Sequence, residues 1–265
     1  MRQSRAVDAP VICTRDNMLN SYLEVCVYPK DAFNGQFDKL PAVELEDAIE
    51  DYFEVSDEVF LILKSKLEQS SRKLCMMWHA GRQALESESD FYSTTIKDAP
   101  ALFGEDAINI HYHLEAMVLF ARSAMDIGST IFGWTLPDPF PKRRYDSFNK
   151  VIKEITKNTS LDLSEYINKL RENNTSWLSI IAGMERGRSL RDKLAHQTEF
   201  PIDYTELNPH SEKRYAVVRI DQNVIPLEEF IDTFCCGVIK GYLEIEKCCL
   251  ANIKTVKSYS IEEDI

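Results

Sequence analysis

No stretch of eighteen uncharged apolar residues occurs in this chain, so no membrane-crossing helix is expected from the sequence. Its glycines stand singly, as at Gly104 and Gly128, and no glycine-rich phosphate loop can be drawn. Serine-hydrolase and dehydrogenase fingerprints are absent too. The seven cysteines include no Cys-x-x-Cys, and the adjacent pairs Cys235-Cys236 and Cys248-Cys249 cannot bridge internally without strain. Buried, reduced thiols are expected, hence a reducing compartment. The start, Met1-Arg2-Gln3-Ser4-Arg5, has basic residues with no apolar run behind them, unlike a secretory signal. A cytoplasmic protein is the expectation, with no internal repeat and no low-complexity tract.

What is present is ordinary in amount, 44% hydrophobic and 28% charged, but acidic in balance, with a formal net charge of -12 over 265 residues. That sign argues against non-specific coating of nucleic acid, which many cationic contacts must drive. Any contact with a polyanion must be local.

Periodicity predicts an all-α protein, a helical bundle with a minor β addition. Residues 1–42 form an N-terminal extension with prolines at 10, 29 and 41 and one strand through Tyr22 to Tyr28. The bundle is expected over 43–257, with a tail at 258–265. Leu45, Ile49, Tyr52, Val59, Leu63, Leu67, Leu74, Trp78 and Leu85 recur at helical spacing, with a possible interruption at Ser56. A polar stretch, Ser87 to Pro100, reads as a connection. The next helix runs from Gly104-Glu105-Asp106 to about Phe132, and its wide apolar arc makes it central. Helices at about 145–157 and 162–172 follow a proline loop closed by Lys142-Arg143-Arg144. Trp177 to His196 is helical in pattern but weakened by Gly183 and Gly187, and Ser189 with Asp192 resembles a capping box. Past Pro201 the chain loops to a hairpin near 213–226, and Pro226 opens a last helix reaching about 257.

Within the acidic chain, Arg186, Arg188, Arg191 and Lys193 have only Glu185 and Asp192 as nearby acids. A patch that contradicts the global sign is a candidate anion site. Arginine suits a phosphate and histidine suits proton transfer near neutral pH. Asp192 and His196 are four apart and share a helical face, so the carboxylate could hold one imidazole nitrogen. Arg191 is about 140° round from His196 on a regular helix. Either the helix is irregular, or the arginine bends over, or the pair works across a subunit interface. If Ser189 is the cap, Arg191 also lies beside exposed backbone donors.

The pattern Arg191-Asp192-Lys-Leu-Ala-His196, late in an all-helical chain, resembles the signature of the HEPN superfamily. The resemblance extends to the preceding long helix, where Glu115, Arg122, Ser123 and Asp126 would be the polar positions inside the bundle. It covers neither residues 1–40 nor the hairpin. It implies a homodimeric, metal-independent endoribonuclease without cofactor, acting in a toxin or antiviral role, with an antitoxin or other protein partner conceivable. RNA supplies its own nucleophile, the 2'-hydroxyl, so such a site needs a proton acceptor, a proton donor and a cation. His196 would move protons, Arg191 would meet the phosphate and Asp192 would orient the imidazole. Arg186, Arg188 and Lys193 would bind substrate. One histidine cannot be acid and base at once, and a symmetric dimer would bring the second. Many such enzymes carry an uncharged residue where Asp192 stands, and a carboxylate there could instead tie up Arg191. The alternatives are a non-catalytic HEPN-like module binding nucleotide, RNA or a protein, and a purely structural or interaction protein.

Weaker signals have plainer readings. His111 with Glu115, and His113 with Met117, are one turn apart, but the two histidines diverge, so core or interface histidines are expected rather than metal ligands. Ser123 and Asp126 with Arg122 could support the motif, or form a polar interior network, or Ser123 could bond back to its own helix. Lys142-Arg143-Arg144 could extend an RNA path, or be a solvated face.

Overall fold

In a computed structural model of the chain, residues 43–52, 58–94, 105–137, 143–158, 162–183, 189–196, 199–207 and 214–262 are described. Helices dominate: α1 (Val43–Tyr52), α2 (Glu58–Thr94), α3 (Glu105–Thr135), α4 (Phe148–Lys157), α5 (Asp162–Glu172), α6 (Trp177–Ala182), α7 (Leu190–His196) and α8 (Leu227–Glu262). Between α7 and α8 lie β1 (Ile202–Leu207), β2 (Arg214–Ile220) and β3 (Asn223–Pro226), an antiparallel sheet in the order β1-β2-β3. Among the described residues no helix is long and apolar enough to cross a membrane.

The long pair α2 and α3 forms the spine. Leu63, Leu67, Leu74 and Met77 of α2 and Ile110, Leu114, Met117 and Ala121 of α3 line the buried side of the pair, all essentially without solvent contact. Apolar residues at helical spacing on both partners make that face continuous. Ser70, buried within it, donates to the Ala124 carbonyl of α3 at 2.8 Å, so its hydroxyl is not left unpaired. Helix α8 closes the bundle. Its buried Glu246 accepts from the Leu45 backbone N–H at 3.3 Å, in the first turn of α1, and so supplies α1 with a cap from a distant helix.

Gly237 and Gly241 open a groove on α8 that the Trp177 ring of α6 fills. A Cβ at Gly237 would stand 2.7 Å from Trp177 Cδ1, and one at Gly241 would overlap the ring. Trp177 also stacks on Phe148 of α4, with ring centroids 6.3 Å apart, so one side chain locks three helices. Helix α4 needs no special cue: Phe148, Val151, Ile152 and Ile155 repeat at three and four and are all buried.

Three boundaries depart from the sequence reading, the last helix among them: α8 runs on to Glu262, through most of the tail expected at 258–265. Helix α2 continues through the polar stretch from Ser87 to Thr94, because that turn packs on the sheet: Phe91 is buried, and Tyr92 donates to the Tyr204 carbonyl at 3.1 Å. Glu88 accepts the Ala216 N–H of β2 at 2.8 Å; burial pushes its carboxyl above the ordinary range, against the pull of that hydrogen bond. Residues 202–207, read as loop, form strand β1. A register irregularity between Asp203 and Glu206 hides the alternation, with the Asp203 carboxylate folded onto Thr205 at 2.6 Å from its hydroxyl. The hairpin stands where it was expected, although Asn223 belongs to β3 and Asp221 carries the left-handed φ of 53° at the turn. The strand expected at Tyr22 to Tyr28, and the break at Ser56, lie outside the described residues.

Candidate functional site

The segment that carries the motif is built by two local stops. Helix α6 begins at Ser176, whose side chain accepts from Ser179 N–H, and ends at Gly183, whose φ of 83° is one that a side chain would resist. Helix α7 then starts from Ser189, which is buried. Its Oγ accepts the Asp192 N–H at 3.0 Å and its carbonyl accepts the Lys193 N–H at 3.1 Å. The expected capping by Ser189 is therefore present. Leu190 and Leu194, one turn apart, pack against the core and set the roll of α7.

The break precedes Arg191, and residues 190–196 form one helix, so Arg191 and His196 remain about 140° apart in their backbone directions. Arg191 turns toward its neighbour: Nη1 donates to Asp192 Oδ1 at 2.9 Å, while Nε is buried without a hydrogen-bond partner. The side chains are about one-third and two-fifths exposed, 35% and 42%. The Asp192 carboxylate is thus engaged by Arg191. Burial works against its ionisation, but the bonds from Arg191 and Ser189 and the charges of Arg191 and Arg122 outweigh it and hold the carboxyl below its ordinary range.

Of the four polar positions on α3, the structure brings two into one network. Arg122 Nε donates to Asp126 Oδ2 at 2.8 Å, and Nη1 donates to Asn149 Oδ1 of α4 at 2.9 Å and to the Ile181 carbonyl of α6 at 3.0 Å. Asp126 Oδ1 accepts the Phe148 N–H at 2.8 Å, capping α4 where Ser147 makes no side-chain cap. Arg122 therefore pins the end of α6 from which the chain leads to α7, and its charge reaches Asp192. Ser123 is half-buried on α3 outside these bonds. Glu115 is half-buried two turns earlier, one turn from the exposed Tyr112 and Leu119. Asn149 and the Ile181 carbonyl were not legible as site groups, since neither residue type nor spacing marks them.

Lys193 is exposed on α7. Arg186 and Arg188 lie outside the described residues, as does the side chain of His196, the final residue of α7. Elsewhere on α3, His111 lies 6.0 Å from the Tyr204 ring with its Nδ1 buried and unbonded, and His113 is pushed down by burial and then by the charge of His79. Among the described residues no three His, Cys, Asp or Glu side chains group as metal ligands. Cys235 and Cys249 are buried and form no disulfide, and burial pushes the Cys235 thiol well up.

A depressed carboxyl has a signed consequence. Because the folded Asp192 holds its proton less tightly than the unfolded chain, the pair stabilises above the ordinary carboxylate pKa of about 3.9 and that contribution is lost as pH falls through the lower folded value. Acid melting of the full chain and of Asp192→Asn should therefore run parallel between about pH 5 and 8 and converge only in stronger acid. A divergence near pH 6 would contradict the pairing.

No protein-family model, curated protein or solved structure matches this chain.

Proposed function

We propose that this protein is a HEPN-like, metal-independent endoribonuclease that cleaves RNA through attack by the 2'-hydroxyl, with Arg191 on the phosphate and His196 transferring protons. The reading rests on one observation: α7 is a separate, capped helix that sets the Arg191 to His196 pattern beside Arg122, an arginine only 12% exposed and held by three bonds. Two guanidinium groups are thus gathered by packing in a chain of net charge -12. The 2'-hydroxyl makes a bound metal unnecessary for generating a nucleophile, and a cation offsets charge that grows on the phosphoryl oxygens. A homodimer would supply two copies of His196, one as base and one as acid. A cytoplasmic toxin or defence role, restrained by a protein partner, belongs to the same proposal.

A second reading has its own observation. Asp192 already holds Arg191, and a cation so paired recognises an anion by exchange rather than as a free charge. That favours a non-catalytic module binding RNA, nucleotide or a protein.

The test is incubation of purified full-length protein with mixed RNA in excess chelator. The nuclease reading expects fragments from the wild type and a loss of about 10²-fold or more in rate for Arg191→Ala. RNA binding that weakens in Arg191→Ala with no fragments from either protein selects the binding module, and cleavage unchanged in Arg191→Ala overturns both.

A further inference from the structure

Residues 143–158 carry five cations against two carboxylates, in a chain where acids outnumber bases 43 to 31. Helix α4 sorts them in space. With Phe148, Val151, Ile152 and Ile155 turned to the core, Asn149, Lys150, Lys153 and Lys157 fall within an arc of about 100° on the outer face. Arg143 and Arg144, just before the helix, are exposed as well. Lys150 bonds Asp146 at 2.7 Å and Lys157 bonds Glu154 at 3.1 Å, yet Arg144 and Lys153 have no carboxylate partner among the described residues.

Arg122 relates this face to the α7 site. Asn149, at the margin of the lysine arc, accepts from Arg122 at 2.9 Å, and the charge of Arg122 in turn depresses Asp192 on α7. The exposed cations of α4 thus form a positive band whose inner margin, Asn149, meets Arg122, itself 12% exposed and paired with Asp126, and through the charge of Arg122 the Arg191–Asp192 pair of α7. Lys150 to Lys157 alone spans about 10 Å along the helix axis. The band is one helix wide.

We infer that the outer face of α4 is a track for the backbone of single-stranded RNA, leading to the α7 site. The inference deepens the nuclease reading and rests on it. A lipid surface fits less well, because among the described residues the exposed large apolar side chains, Leu61, Met76, Ile108, Tyr112, Leu119 and Val224, all lie off this segment. A duplex fits less well too, since its rigid, broad charge would meet the acidic remainder of the surface, whereas a single strand can follow a narrow band.

The experiment uses full-length protein in a His196→Ala background, so that RNA stays intact, with a labelled oligouridylate titrated at several salt concentrations. Arg144→Glu/Lys150→Glu/Lys153→Glu should weaken binding about tenfold or more and flatten the plot of log affinity against log salt, by about 0.7 for each phosphate that is no longer neutralised. The matched Arg144→Gln/Lys150→Gln/Lys153→Gln variant, checked by thermal melting for an intact fold, should lie between reversal and parent. Unchanged affinity and slope in a folded triple variant, with Arg191→Ala still weakening binding, overturns the track and spares the α7 site. Weakened binding in the α4 variants with none in Arg191→Ala keeps the track and removes the α7 reading. Oligouridylate ignored by the parent, while phosphatidylserine vesicles bind it through these residues, overturns the track in favour of a membrane surface.

Discussion

Replacing Trp177 by alanine is expected to cost about 3–5 kcal/mol of folding stability, the upper range for loss of a buried aromatic. The ring is only 4% exposed, occupies the groove left by Gly237 and Gly241 of α8, and stacks on Phe148 of α4. Its removal opens a cavity at the junction of three helices, where no one of them can collapse without leaving another. For a chain of this size, the midpoint should fall by roughly 2–4 °C per kcal/mol. Gly241→Val attacks the same packing from the other side, since the new side chain must displace the ring, and overpacking of this kind costs about 1–3 kcal/mol. The two changes should be non-additive: the double variant should be more stable than the sum of the singles predicts, because valine enters space the tryptophan has left. Additive losses in thermal or denaturant melts would mean that the ring does not sit in the glycine groove.

The second large effect concerns chemistry. His196→Ala should lower the rate of RNA cleavage by about 10²–10⁴-fold, the usual contribution of one positioned acid or base. RNA binding should survive, because the cations on α7 and α4 remain. If each chain contributes one histidine to a shared site, mixing His196→Ala with Arg191→Ala protein should not restore full activity, since every hybrid site lacks a group. Single-turnover cleavage measured beside binding separates the two roles. A His196→Ala protein that cuts at the parental rate removes this residue from the mechanism.

Much of the helical plan was legible because burial leaves a period. Phe148 to Ile155 of α4 repeat at three and four, and the bounds of α5 agree with the sequence reading. Ser189 could be recognised as a cap because its side chain acts locally, on a donor three residues ahead. What escaped was non-local. Ser87 to Thr94 is polar by composition, and only the sheet, which the chain makes more than a hundred residues later, turns Glu88 and Tyr92 into contacts. Strand β1 lost its alternation to the irregularity between Asp203 and Glu206. Glycines four apart on α8 read as weak helix formers; their use, as a seat for Trp177, depends on a helix far away in sequence.

The candidate site divides in the same way. Residue types and charge sign marked Arg191, Asp192 and His196, and local geometry showed that the first and last diverge. Sequence left open whether Asp192 serves the histidine or the arginine. The structure brings its carboxylate to Arg191 at 2.9 Å. Arg122 and Asp126 were marked as polar positions of the central helix, but their partners, Asn149, the Ile181 carbonyl and the Phe148 N–H, come from helices folded onto α3 later in the chain.

The proposed function stands or falls on whether RNA is cut by its own 2'-hydroxyl at the α7 site. The most direct measurement takes a short RNA with one mapped cleavage position and a matched strand carrying 2'-deoxyribose at that nucleotide alone, both treated with the full-length protein in chelator. Attack by the 2'-hydroxyl requires a cyclic phosphate end on the RNA fragment and no cut at the deoxy position. A cut at the deoxy nucleotide would contradict it, as would fragments that require a divalent ion.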